Sequence, residues 1–183
     1  MVETLRVNNL KKTYGGLEAV RGISFGVEEG SIFGLIGPNG AGKTTTFNII
    51  AGAEKPTEGT VILNGEDITG LSTDNLYKIG LVRTFQLSHE YAKMTTLENL
   101  MVAASDQPGE RIFMNWFSPK SVADREKEVL GRALESLDFL GLTQVKNELA
   151  GNLSGGQKKL LELGRTMMTD AKLVLLDEPG AGV

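Results

Sequence analysis

The chain has 183 residues, 40% hydrophobic and 23% charged, with 19 Lys and Arg against 23 Asp and Glu and a formal charge of −4. Ordinary length and composition exclude wholesale disorder, and the acidic balance argues against a broad basic face for nucleic acid. Cysteine is absent, which removes disulfides and thiolate metal sites from consideration. Glycine is the outlier, with 23 residues and only 5 prolines. Its share is well above the usual ~7%, and without a Gly-X-Y period it must answer local backbone demands. Glu3 interrupts the N-terminus, where no apolar core of a signal peptide occurs, and no run of about 18 apolar residues offers a membrane span. The expectation is an intracellular-type domain that would meet a membrane only through a partner.

In chain order, residues 4–14 and 17–28 read as two strands joined at Gly15-Gly16, a tight hairpin. Ser31 to Ile36, S-I-F-G-L-I, is a short apolar run bounded by glycines and reads as a buried strand. A Gly-rich turn leads into a helix from about Lys43 to Ala51, followed by strands around T-V-I-L and at 81–85. The texture then turns helical. Thr95 and Glu98 are spaced as a capping box, and Ser118-Pro119 suits a helix start. Leu130, Leu134, Leu137 and Leu140 mark one helix face by their i, i+4, i+7 spacing. Asp106 to Phe117 reads as an irregular loop, Ser154 as another helix start, and K-L-V-L-L (172–176) as a strand of the parallel kind, apolar enough to need neighbours on both sides.

Three motifs carry chemistry. Gly37-Pro38-Asn39-Gly40-Ala41-Gly42-Lys43-Thr44-Thr45 matches G-x-x-x-x-G-K-[ST] between a predicted strand and a predicted helix. Side chains would obstruct backbone N–H groups converging on phosphate oxygens, hence the glycines, and the following helix adds its positive N-terminal dipole. Lys43 suits the β- and γ-phosphates, and the Thr44 hydroxyl suits Mg²⁺. Asp177 and Glu178 stand where an apolar strand meets its C-terminal loop, the usual ligand side of an open α/β sheet. Asp177 can hold Mg²⁺ there, generally through water, and Glu178 can polarise a water for in-line attack on a γ-phosphate. An acid pair by itself can equally begin a loop. Together with Lys43 it points to hydrolysis of a nucleoside triphosphate. Leu153 to Gln157, L-S-G-G-Q, places Ser154 at an N-cap and Gln157 at the capping-box position. Gly155 and Gly156 then leave the helix N-terminus bare for an anion, although a well-capped helix would read the same way.

In that order, phosphate loop, L-S-G-G-Q and D-E-P resemble the nucleotide-binding domain of the ATP-binding cassette (ABC) family, over essentially the whole chain. The resemblance implies an α/β fold: a P-loop NTPase core of mixed and parallel sheet with an antiparallel N-terminal β-hairpin, plus an inserted α-helical subdomain. It divides the single domain into a RecA-like core, residues 1–86 and 158–183, and a helical subdomain, residues 87–157. It implies ATP and Mg²⁺ as cofactors. It also implies a head-to-tail dimer, in which Ser154, Gly155, Gly156 and Gln157 of one subunit cap the γ-phosphate on the other's phosphate loop. By the same matching, Tyr14 stacks on adenine, although a tyrosine at a hairpin tip is its plainer reading. Gln86 senses Mg²⁺ and the attacking water, and the segment L-S-H-E-Y-A-K-M-T-T beyond it faces a membrane-spanning permease. His89, the only histidine, precedes Asp177 and so does not match the family's switch histidine; it reads as a surface or coupling-face residue.

V-R-T-F-Q, M-T-T-L-E-N-L-M-V-A-A, the loop near 105–120 and G-Q-K-K-L-L-E-L-G-R resemble the ATPases of branched-chain amino-acid importers. A solute-binding protein and a cytoplasmic, membrane-peripheral location go with that likeness. Urea-importer and lipopolysaccharide-exporter ATPases share the same phrases, and a soluble non-transport ABC ATPase is a further alternative. The sequence ends at P-G-A-G-V, before the family's dimer-interface loop, switch histidine and closing helices, so the expectation is a partial cassette that could bind ATP without turning it over.

Overall fold

The computed structural model describes residues 3–84, 90–105 and 119–177, with backbone alone at 119–121. Two compact units emerge: the chain up to Arg83 with Lys172–Asp177, and residues 84–171. Each has its own core.

The first unit opens with β1 (Glu3–Tyr14) and β2 (Leu17–Glu28), an antiparallel hairpin. β3 (Glu58–Leu63) pairs antiparallel on the other side of β1, and β4 (Glu66–Asp67) flanks β3, giving the order β2-β1-β3-β4. β1 is irregular at Asn9, whose φ is 43°. Gly59 lies against that irregularity with φ 93°, and a Cβ there would sit 2.4 Å from the Asn9 carbonyl oxygen. A side chain at this position would push the two strands apart. Leu5, Val7, Leu10, Val61 and Leu63 from the sheet bury against Ile49 and Ile50 of α1 (Lys43–Ile50) and Leu76 of α2 (Thr73–Lys78). The short β4 and α2 had no counterpart in the sequence reading. β5 (Leu81–Arg83) and β6 (Leu173–Leu175) form a separate parallel pair, with Arg83 opposite Leu175.

Two expectations are corrected here. Ser31 to Ile36 is not a strand: the segment carries no ladder, and Ile32 and Ile36 lie fully open to solvent. An extended apolar run becomes a strand only when a neighbour takes up its alternate N–H and C=O groups, and among the described residues none does. The apolar strand at 172–176 shortens to three residues and has one ladder partner among the described residues, rather than neighbours on both sides.

The second unit is helical: α3 (Thr96–Val102), α4 (Pro119–Phe139) and α5 (Gly155–Met167). Within the described residues α4 opens at Pro119, and Ser118 of the expected start lies outside them. The leucine face assigned to it is out of phase. Leu137 is fully buried, whereas Leu130 and Leu134 are 36% and 39% exposed. The buried stripe runs Val129, Ala133, Leu137, and Leu140 packs on the core from just beyond the helix end. Small Ala133 sits on that stripe, and α3 and α5 also meet closely: a Cβ on Gly164 would lie 2.9 Å from Leu100 and 2.8 Å from Leu140. Close approach between helices selects small residues at the seam, and here that requirement outweighs leucine periodicity. Among the described residues, no helix is long and apolar enough to cross a membrane.

Candidate nucleotide site

The phosphate loop runs from the end of the exposed 31–36 segment into α1. Gly40 and Gly42 both adopt the left-handed conformation, φ 81° and 85°. A Cβ on Gly42 would stand 2.3 Å from the Ala19 carbonyl oxygen of β2, so the loop is pressed onto the hairpin and alanine cannot replace this residue without a shift. Ala41 N–H donates to the Pro38 carbonyl (3.2 Å) and closes the turn. Lys43 folds back over the loop, its Nζ donating to the Gly37 (2.7 Å) and Pro38 (2.9 Å) carbonyls. No side chain caps α1, and its first turn has no acid. An uncapped helix start behind two left-handed glycines, with an ammonium laid over it, suits an incoming phosphate in shape and charge.

Tyr14 ends β1 and is 45% exposed. Its hydroxyl donates to Glu54, while the Lys12 ammonium sits over its ring, 5.0 Å from the centroid. The bond to Glu54 is the main reason the phenol is held above its ordinary pKa, with burial and the Glu54 charge adding, against a smaller opposing contact from Thr45. Glu54 is correspondingly held below the usual carboxylate range, first by Tyr14 and then by Asn48, with Lys12 assisting. Asn48 of α1 donates its amide to Glu54 (2.9 Å) and accepts from Arg83 Nη1 (2.7 Å). Arg83 Nη2 donates to Asp177 Oδ2 (2.8 Å), both side chains largely out of water at 18% and 9% exposure. A continuous polar chain therefore joins the predicted adenine residue to the predicted metal residue through Glu54, Asn48 and Arg83. Sequence reasoning missed those three. Arginine inside the apolar L-V-R-T-F run, and Asn48 four residues after Thr44 on the same helix face, were the available signals.

In the helical unit, Ser154 caps α5 and forms the full box with Gln157: Gln157 N–H donates to Ser154 Oγ (3.3 Å), and Ser154 N–H donates to Gln157 Oε1 (2.9 Å). The space beside Gly155 and Gly156 is open, with no atom within 4 Å of where a Cβ would be. Thr95 and Glu98 form the matching box at α3. Residues 90–95 are pinned by Asn99, fully buried, which accepts from Tyr91 N–H (2.8 Å) and donates to the Tyr91 (3.1 Å) and Thr95 (2.9 Å) carbonyls. Two contacts fasten the same segment to α5: Lys158 pairs with Glu90 at 2.8 Å, and the Arg165 guanidinium lies 5.1 Å from the Tyr91 ring centre. Gln86, His89 and Glu178 lie outside the described residues.

The sequence model of the ABC transporter family matches residues 20–181. This chain is an ABC transporter family member. The cassette is 45% identical to the probable branched-chain amino acid transport ATP-binding protein LivG of Archaeoglobus fulgidus, over 100% of this chain and 70% of that protein. It is 40% identical to the high-affinity branched-chain amino acid transport ATP-binding protein BraF of Pseudomonas aeruginosa, over 98% of this chain and 70% of that one. Among solved structures it resembles the ADP conformation of MJ1267, an ATP-binding cassette of an ABC transporter, with a TM-score of 0.80 and 40% identity over 100% of this chain and 71% of that one. The dimeric post-hydrolysis state of the cassette MJ0796 bound to ADP and Pi gives a TM-score of 0.73 at 28% identity, over 98% and 75% of the two chains. The P-loop α/β fold expected from the motifs is thereby shown.

Proposed function

We propose that this ABC cassette binds and hydrolyses ATP as the motor subunit of a branched-chain or related amino-acid importer. The observation that carries the reading is the phosphate loop: left-handed Gly40 and Gly42, the uncapped start of α1, and Lys43 folded across the loop carbonyls. The names of the relatives supply the substrate class. Asp177 and Thr44 offer hard oxygen atoms of the kind Mg²⁺ takes. Such an ion, when bound, neutralises charge on the β- and γ-phosphates.

In this reading Gly37, Pro38, Asn39, Gly40, Ala41 and Gly42 wrap the phosphates with backbone N–H groups. Lys43 releases its loop carbonyls to meet them, and Thr44 and Thr45 extend the cradle into α1. Tyr14 stacks on the base, held at its hydroxyl by Glu54. Glu178 polarises the attacking water, and Gln86 senses it. Ser154, Gly155, Gly156 and Gln157 close on the phosphate of a second subunit in a head-to-tail dimer. The segment after Gln86 docks on a permease at the cytoplasmic face of the membrane, with a solute-binding protein delivering the amino acid. The test is Glu178→Gln in the full-length protein. Turnover should fall at least about 100-fold, on the scale of a lost general base, while ATP-bound dimer accumulates on a sizing column. Undiminished turnover would refute the mechanism, and uptake of urea but not leucine by the reconstituted transporter would refute the substrate class.

A further inference from the structure

Asp177, whose carboxylate the proposed chemistry gives to Mg²⁺, is held by Arg83 in a part-buried ion pair for which that chemistry assigns no role to the arginine. Arg83 closes β5, and Asp177 lies two residues past its ladder partner Leu175. The guanidinium does not stop at the carboxylate; its other terminal nitrogen reaches Asn48 Oδ1 at 2.7 Å. The Asn48 amide is committed to Glu54, so its oxygen has to face Arg83. Asn48 lies one turn beyond Thr44, on the same face of α1. One planar fork thus bridges two elements, the end of β6 and the helix face that carries Thr44. Drawing an arginine and an aspartate largely out of water costs desolvation that their attraction roughly offsets, so such a pair is better explained by the geometry it imposes than by stability.

We propose that Arg83 is a positioning residue for the cation site: it holds Asp177 at a set distance from the Thr44 face of α1, using Asn48 as its second anchor. The proposal rests on the reading of Asp177 as a metal residue. Arg83 donates to Oδ2, so Oδ1 would be the oxygen available to hold the ion or its water. Lysine would keep the charge but, with a single nitrogen, could not bridge both acceptors.

The experiment uses the full-length protein with Mn²⁺ as a spectroscopic probe in the presence of ADP. Free Mn²⁺ is read by electron paramagnetic resonance, and metal-free ADP affinity is measured alongside. Arg83→Lys and Asn48→Leu should each weaken Mn²⁺ binding by about 10-fold, the usual effect of removing a group that orients a ligand. For Arg83→Lys, ADP affinity without metal should stay within about threefold of wild type by the same reasoning. The double variant should be no worse than the weaker single one, since both break the same bridge. Unchanged Mn²⁺ affinity in a folded Arg83→Lys protein would overturn the proposal, as would equal losses for Mn²⁺ and metal-free ADP. Asp177→Asn separates the two readings: if it leaves Mn²⁺ binding intact, the assignment of Asp177 fails rather than the bridge.

Discussion

Glu54 shows how a residue with no motif can matter at the smallest scale. It accepts from Tyr14 and Asn48 and faces Lys12, and these contacts hold its carboxyl below the usual range. A carboxylate whose folded pKa is depressed adds stability above its unfolded pKa and loses it as pH falls through the folded value. Wild type should therefore melt above Glu54→Gln at pH 7, and the gap should begin to narrow near about pH 4, where the unfolded carboxyl takes up its proton, and close as pH falls through the lower folded value. Melting curves across that range check the sign. A gap that widens in acid would contradict it. The left-handed turns at Gly40 and Gly42, by contrast, were legible residue by residue, because positive φ selects glycine locally.

Among elements, both capping boxes were legible because a cap is written within four residues: Thr95 with Glu98, and Ser154 with Gln157. The phase of α4 was not. Leucine spacing named Leu130 and Leu134, but the helix turns Val129, Ala133 and Leu137 inward. Leu137→Ala should cost about 2–5 kcal/mol, as removal of a fully buried leucine does. Leu130→Lys and Leu134→Lys should each stay within about 0.5 kcal/mol of wild type, as exposed substitutions do. Denaturant titrations of the three variants decide the phase, and the opposite ranking would restore the leucine face.

At the scale of the whole molecule, the two cores share no residue among those described: one gathers the sheet residues with α1 and α2, the other α3, α4 and α5. Loss of packing in one should leave local protection in the other. In Leu137→Ala, amide exchange should speed up across residues 90–105 and 119–171, while β1 and β3 keep their protection. Hydrogen-exchange mass spectrometry reads both at once, and uniform acceleration would show a single cooperative unit instead.

By itself, the sequence determined the family, through three motifs in a fixed order, and it placed the glycine-rich turn before α1, the acid past β6 and the two helix caps, each written within a few positions. Tertiary structure alone decided the rest. Whether Ser31 to Ile36 becomes a strand depends on a ladder partner, which no local pattern supplies. Which face of α4 is buried depends on how closely its neighbours approach. The path from Tyr14 through Glu54, Asn48 and Arg83 to Asp177 joins residues up to 94 positions apart in one step. Only the folded chain brings such groups within hydrogen-bonding distance, because side-chain bonds act over about 3 Å and sequence spacing carries no record of them.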